Sequence, residues 1–191
     1  MVLPIEELKR VFMKTIAVFG SAICKPGDAD YEAARAVGCL LAENGYAAMS
    51  GGYEGVMEAV SQGASEAGGH VIGVTCEQIE SYRGFKANRW VKEEIKYRTL
   101  RERVDHLMNR ADGYIVMPGG LGTLHEMVMV WESMRVGEIS TRPLICYGDY
   151  WQKVIEPLRD SIYISAYSWK YIFFADTPEQ TVQALHTHFM E

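Results

Sequence analysis

Cysteine is scarce in this chain of 191 residues, and Cys24, Cys39, Cys76 and Cys146 lie far apart, with no C-x-x-C pair and no nearby histidine at ligand spacing. That scatter speaks against a disulfide scaffold and against a metal site, and a reducing cytoplasm is the expected setting. Long apolar runs are missing as well: no stretch approaches the roughly 18 consecutive apolar residues of a membrane span. The opening Met1-Val2-Leu3-Pro4-Ile5-Glu6-Glu7 carries two acids where a secretory leader carries bases. The expected protein is therefore neither secreted nor associated with a membrane. Positive charge is not clustered either. Nineteen Lys+Arg stand against 25 Asp+Glu, a net charge of −6, and the sequence pI is near 5.4. Without a basic block there is no footprint for a nucleic-acid backbone, so a nucleotide partner is expected to be a small molecule and not a polymer.

What is present suits a folded α/β chain. Hydrophobic residues make up 48% and charged residues 23%, which excludes a disordered chain and allows a substantial core. The length fits one domain over residues 1–191. After an amphipathic lead-in over Ile5 to Phe12, Thr15 to Gly20 reads as a buried strand that stops at glycine. Asp28 or Asp30 can cap a helix with an Ala34, Val37, Leu40, Leu41 stripe, and Asn44-Gly45 supplies its left-handed stop. A strand over Tyr46 to Met49 leads through Ser50-Gly51-Gly52 into a helix over Glu54 to Ala67. The small face of that helix, Ala59, Gly63 and Ala64, suits close packing on the sheet.

His70 to Val74 reads as a third strand, and Cys76 to Arg89 as a polar, aromatic-dotted loop. Arg98 to Arg110 repeats Leu100, Val104, Leu107 and Met108 at helical spacing. Strand Gly113 to Met117, helix Gly122 to Arg135, strand Arg142 to Tyr147, helix Tyr150 to Ser161, strand Tyr171 to Phe174 and helix Pro178 to Met190 complete the order. Such alternation predicts a doubly wound α/β fold, a mainly parallel sheet with helices on both faces and ligands at the carboxyl ends of the strands.

Three predicted strand ends carry glycine turns: Gly20-Ser21, Ser50-Gly51-Gly52 and Pro118-Gly119-Gly120. The strongest pattern is Met117-Pro118-Gly119-Gly120-Leu121-Gly122-Thr123-Leu124-His125-Glu126, which runs from a strand straight into a helix. Glycine permits close approach of the backbone, the first helical N–H groups lack partners, and the helix start is positive, so a phosphate is favoured there. Glu126 then falls in the first turn of a helix that is apolar almost all round (Leu124, Met127, Val128, Met129, Val130, Trp131, Met134), which should be buried against its own sheet or against another subunit. Position favours an ionised Glu126 and burial opposes it; the alternative is a glutamate that only complements the helix dipole. Arg101 and Arg103 flank the apolar stripe of their own helix, where either can reach an anion or simply extend to solvent. The glycine spacing after Ser50 is not G-x-G-x-x-G, and no G-K-[ST] motif occurs, so neither a standard NAD site nor a P-loop is supported.

Taken together, Gly51-Gly52-Tyr53-Glu54-Gly55-Val56-Met57, Glu102-Arg103 and Pro118 to Glu126 resemble the Lonely Guy (LOG) family, once labelled "possible lysine decarboxylase". The likeness runs from about Thr15 to Leu158. It implies a Rossmann-like, dimeric protein that cuts the N-glycosidic bond of a nucleoside 5′-monophosphate without a metal or organic cofactor. By that resemblance Arg103 and Glu126 match the catalytic pair, and Gly119, Gly120, Leu121, Gly122 and Thr123 the phosphate loop. Gly20, Ser21, Gly51, Gly52, Gly55 and Met57 fall at nucleotide-binding positions. His125 and Glu58 depart from the family pattern, so the implied substrate is AMP or a modified purine nucleotide and not a cytokinin in particular. The competing expectation is a carrier that holds a nucleotide or molybdenum cofactor without turnover. A decarboxylase is not supported, because no lysine stands in a recognisable Schiff-base setting.

Overall fold

Short apolar runs of four or five residues, each followed within three residues by glycine, form the centre of the sheet. The computed structural model describes residues 13–190, so the amphipathic lead-in expected over Ile5 to Phe12 lies outside the described residues. The elements are β1 (Thr15–Phe19), α1 (Ala29–Glu43), β2 (Ala47–Ser50), α2 (Val56–Glu66), β3 (Val71–Cys76), α3 (Glu77–Arg83) and β4 (Glu93–Tyr97). Then follow α4 (Leu100–Arg110), β5 (Gly113–Val116), α5 (Leu121–Arg135), β6 (Leu144–Tyr147), α6 (Tyr150–Ile155), β7 (Ile172–Ala175) and α7 (Pro178–Met190). Short 3₁₀ segments cover Glu156–Leu158 and Ala166–Tyr171.

The seven strands pair in the order β4-β3-β2-β1-β5-β6-β7, and every pair is parallel. The chain winds outward from β1 in both directions, which makes the β1/β5 boundary the switch point where such sheets open a crevice. Period-two alternation divides the core between the faces. Ile16, Val18 and Ile115 pack with α1, α2 and α7, while Ala17, Phe19, Tyr114 and Val116 pack with α4 and α5.

Several expectations need correction. The polar stretch after Cys76 is not simply a loop: it holds α3, none of whose side chains is buried, and β4 follows where no strand was expected. β4 reads Glu-Glu-Ile-Lys-Tyr because it is an edge strand, and charges on an edge discourage pairing with other chains. The small face of α2 serves a helix as well as the sheet: Ala59 and Ala64 share the core of the sheet face, but a Cβ at Gly63 would run into the Arg35 carbonyl of α1, and one at Gly38 into the Val60 carbonyl of α2. Asp28 stands at the N-cap of α1, yet its carboxylate accepts from the Lys25 N–H at 2.8 Å and makes no cap bond. Leu100 lies on the exposed side of α4, leaving Val104, Leu107 and Met108 as its buried stripe.

Candidate active site

Because β2, β1 and β5 are neighbours, their three glycine turns lie side by side. The central turn is joined to both others: the Ser21 N–H donates to the Pro118 carbonyl at 3.0 Å, and the Ser21 carbonyl accepts from the Val56 N–H at 2.8 Å. Gly20 backs onto Val56, and Gly55, at φ +69°, backs onto Ser21-Ala22, so both glycines serve the contact between turns. Gly52, at φ +75°, donates its N–H to Ser50 Oγ at 3.1 Å.

The start of α5 differs from that of α2. Gly120 is its N-cap and supplies no side chain, and its carbonyl accepts from the Leu124 N–H at 2.9 Å. The amides of Leu121, Gly122 and Thr123 therefore form a first turn with no side-chain cap, and space is open around the α-carbons of Gly120 and Gly122. At α2 the first amide is already taken by Ser21. Of the two glycine-rich helix starts, α5 is the one suited to an anion. Its turn is braced from α6: the Tyr150 hydroxyl donates to the Gly119 carbonyl at 3.0 Å, and Trp151 Nε1 donates to the Met117 carbonyl at 2.9 Å. Thr123 is buried against Gly119.

Arg103 enters from α4. A capping box fixes that helix start, with Thr99 Oγ1 accepting from the Glu102 N–H and the Glu102 carboxylate accepting from the Thr99 N–H. One residue later, Arg103 Nε donates to the Val74 carbonyl of β3 at 2.8 Å, and Nη1 donates to Glu126 Oε1 at 3.1 Å. Its Nη2 lies 4.0 Å from Met57 Sδ, and the guanidinium fills the space a side chain would need at Gly51. The pair is nearly dry, with side-chain exposures of 6% for Arg103 and 11% for Glu126. Five N–H groups meet only two oxygen acceptors, which leaves donor capacity for a ligand.

Burial pushes the Glu126 carboxyl above the ordinary carboxylate range, and the attraction and hydrogen bond of Arg103, with the nearby His125, pull it only part of the way back. His125 itself is exposed, as are Arg101 and Glu54, while Glu58 is half-buried. The structure thus brings together Arg103, Glu126, Gly51, Met57 and the α5 turn, and places Gly20 and Gly55 behind them. Sequence reasoning missed the Val74 carbonyl, Asn88, Tyr53 and Tyr150. A backbone carbonyl carries no residue signature, whereas a bulky Tyr53 inside a glycine run was a visible signal.

Among the described residues no group of three or more His, Cys, Asp or Glu is placed to hold a metal ion, and no helix is long and apolar enough to cross a membrane.

An all-parallel sheet with an uncapped helix start at its switch point defines a Rossmann-like α/β protein. The sequence model of the family described as "Possible lysine decarboxylase" matches residues 57–185, and the chain belongs to that family, the LOG family of the resemblance above. It is 30% identical over 158 residues to a cytokinin riboside 5′-monophosphate phosphoribohydrolase of Mycobacterium marinum, covering 80% of this chain and 83% of the relative. The protein of the same name from Mycobacterium tuberculosis is 29% identical over 177 residues, covering 89% and 92%. Among solved structures, the molybdenum cofactor binding protein of Rippkaea orientalis superimposes with a TM-score of 0.73 at 25% identity, over 93% of this chain and 98% of that one.

Proposed function

We propose that the chain hydrolyses the N-glycosidic bond of a purine nucleoside 5′-monophosphate, AMP or a modified relative, to free base and ribose 5-phosphate. The observation that carries this reading is the nearly dry Arg103–Glu126 pair at 3.1 Å, one turn along α5 from its uncapped amides. The amides suit a 5′-phosphate. When the bond from C1′ to the base breaks, the base leaves with the electron pair, positive charge grows on the ribose ring, and water closes the balance, its hydroxyl going to C1′ and its proton to the departing base nitrogen. An ionised Glu126 stabilises that charge or aligns the water that supplies oxygen to C1′, as carboxylates do in glycoside hydrolysis. Arg103 favours the ionised form of Glu126, against its burial, and holds the carboxylate in place. The names of the mycobacterial relatives support the same reaction class.

The likeness to a molybdenum cofactor binding protein favours a second reading, retention of a phosphate-bearing ligand without turnover. One experiment separates them. Purified protein is incubated with a panel of nucleoside monophosphates, and free base is measured by chromatography beside mass spectrometry of any ligand that co-purifies. Hydrolysis predicts base release that falls by at least about 100-fold in Glu126→Ala while the circular dichroism spectrum is kept. A tightly held ligand with no base released overturns it in favour of carriage.

We also propose a homodimer through the outer face of α5. That helix buries Met127, Val130, Trp131 and Met134 against its own chain but leaves Leu121 and Val128 exposed, at 85% and 44%.

A further inference from the structure

Tyr53 is the one aromatic residue of the glycine turn after β2, Ser50-Gly51-Gly52-Tyr53-Glu54-Gly55, and it is 1% exposed. Its hydroxyl accepts from the Cys76 N–H at 2.8 Å and donates to the Cys76 carbonyl at 3.2 Å, so it pins the carboxyl end of β3. Two residues earlier on that strand, the Val74 carbonyl holds Arg103 Nε. The Tyr53 ring centre lies 5.8 Å from Arg103 Cζ, within range of a cation–π interaction that strengthens as water is excluded. The ring is itself held from the outside, with Phe85 at 5.6 Å between ring centres and Asn88 Nδ2 donating to the Tyr53 carbonyl at 2.9 Å and to the Gly52 carbonyl at 3.1 Å.

We propose that Tyr53 is a positioning residue for Arg103, fixing the guanidinium against Glu126 through its ring and through the end of β3. Asn88 and Phe85 hold the tyrosine in turn, so the segment after α3 is part of the site's support, not a free loop. This rests on the proposed hydrolytic role of the pair, but the placement of Arg103 is a separate fact with its own readout. Arg103 and His125 are the charged groups acting on Glu126, and only the first is held by Tyr53.

The test compares wild type, Tyr53→Phe and Tyr53→Leu by ¹³C NMR titration of the Glu126 carboxyl, with Glu126→Gln identifying the signal, and by kcat and KM on AMP. Loss of the ring should loosen Arg103 and raise the pH at which Glu126 titrates, more in Tyr53→Leu than in Tyr53→Phe. kcat should fall by about 10- to 100-fold with KM changed less, the pattern of a misplaced group. A merely structural tyrosine would lower the melting temperature and leave the titration where it was, and that result overturns the proposal. If Tyr53→Leu does not fold, Tyr53→Phe decides: an upward shift supports the role of the hydroxyl, and an unmoved titration overturns it. Should wild type release no base, the hydrolytic reading fails while the titration still decides the placement of Arg103.

Discussion

A single guanidinium links three parts of the molecule, and its energetics turn on what happens when one partner is lost. Arg103 reaches Val74 on β3 and Glu126 on α5 with both side chains almost fully buried. Breaking a buried pair leaves an uncompensated charge, so Arg103→Ala should lower stability by about 3 kcal/mol at neutral pH. The loss should be smaller in acid, where the abandoned carboxyl takes a proton. For Glu126 the folded carboxyl holds its proton more tightly than the unfolded one does. Its contribution to stability is therefore complete below the ordinary glutamate range and is lost as pH rises through the raised folded value. Denaturant titrations across pH should show this decline in wild type and not in Glu126→Gln. If ionised Glu126 serves the reaction, the rate should rise with pH along an acid limb set above the ordinary glutamate range. A wild-type limb within that range would contradict the direction of the shift.

On the far face of the sheet, the elements are set by how closely α1 and α2 approach. Each helix gives up a side chain, Gly38 on one and Gly63 on the other, and the backbone of the partner fills the space. Neither carbonyl can rotate aside as a flexible side chain would. Gly63→Ala should therefore cost roughly 1–3 kcal/mol by overpacking, against the small gain that alanine brings to an isolated helix. Thermal melts check the sign, and an unchanged or raised melting temperature would refute the close crossing. Activity per folded molecule should survive, because α4 and α5 pack on the opposite face and the one α2 side chain at the site, Met57, lies six residues from Gly63 at the far end of the helix. The small stripe was legible in the sequence, but its partner was not: small residues announce a close approach without naming what approaches. β1 and β5 were readable because central strands are short apolar runs that lead into glycine turns, and α7 because a proline opens it. β4 and α3 escaped for the opposite reason. One is a charged edge strand and the other buries nothing, so neither leaves a hydrophobic period to detect.

For the molecule as a whole, the three glycine turns were legible in the sequence but their company was not: it depends on strand order, and the parallel sheet brings them together by making β2, β1 and β5 neighbours. Arg103 and Glu126 were legible as residue types in a motif, while their dependence on Val74, Tyr53 and Asn88 was not, since those contacts arise only once distant turns meet. One apolar surface lies outside this interior accounting. Val128 on α5, Leu158 and Tyr163 line a cavity of about 370 Å³, with Glu132 and Arg135 at its edge. Tyr163 is 90% exposed, and its chain neighbour Ile162 is 89% exposed. A face that combines apolar residues with one acid and one base can meet its own copy across a two-fold axis, where each residue acts twice. A single change at its centre should therefore count double. Val128→Glu places two carboxylates in the contact of the proposed dimer, and should convert it to a folded monomer by sedimentation velocity at micromolar concentration. Val128 is half-exposed within the chain, so the substitution should leave the melting temperature of the isolated fold nearly unchanged. A wild-type chain that already sediments as a monomer, or a Val128→Glu variant that stays dimeric, would place the contact elsewhere or remove it.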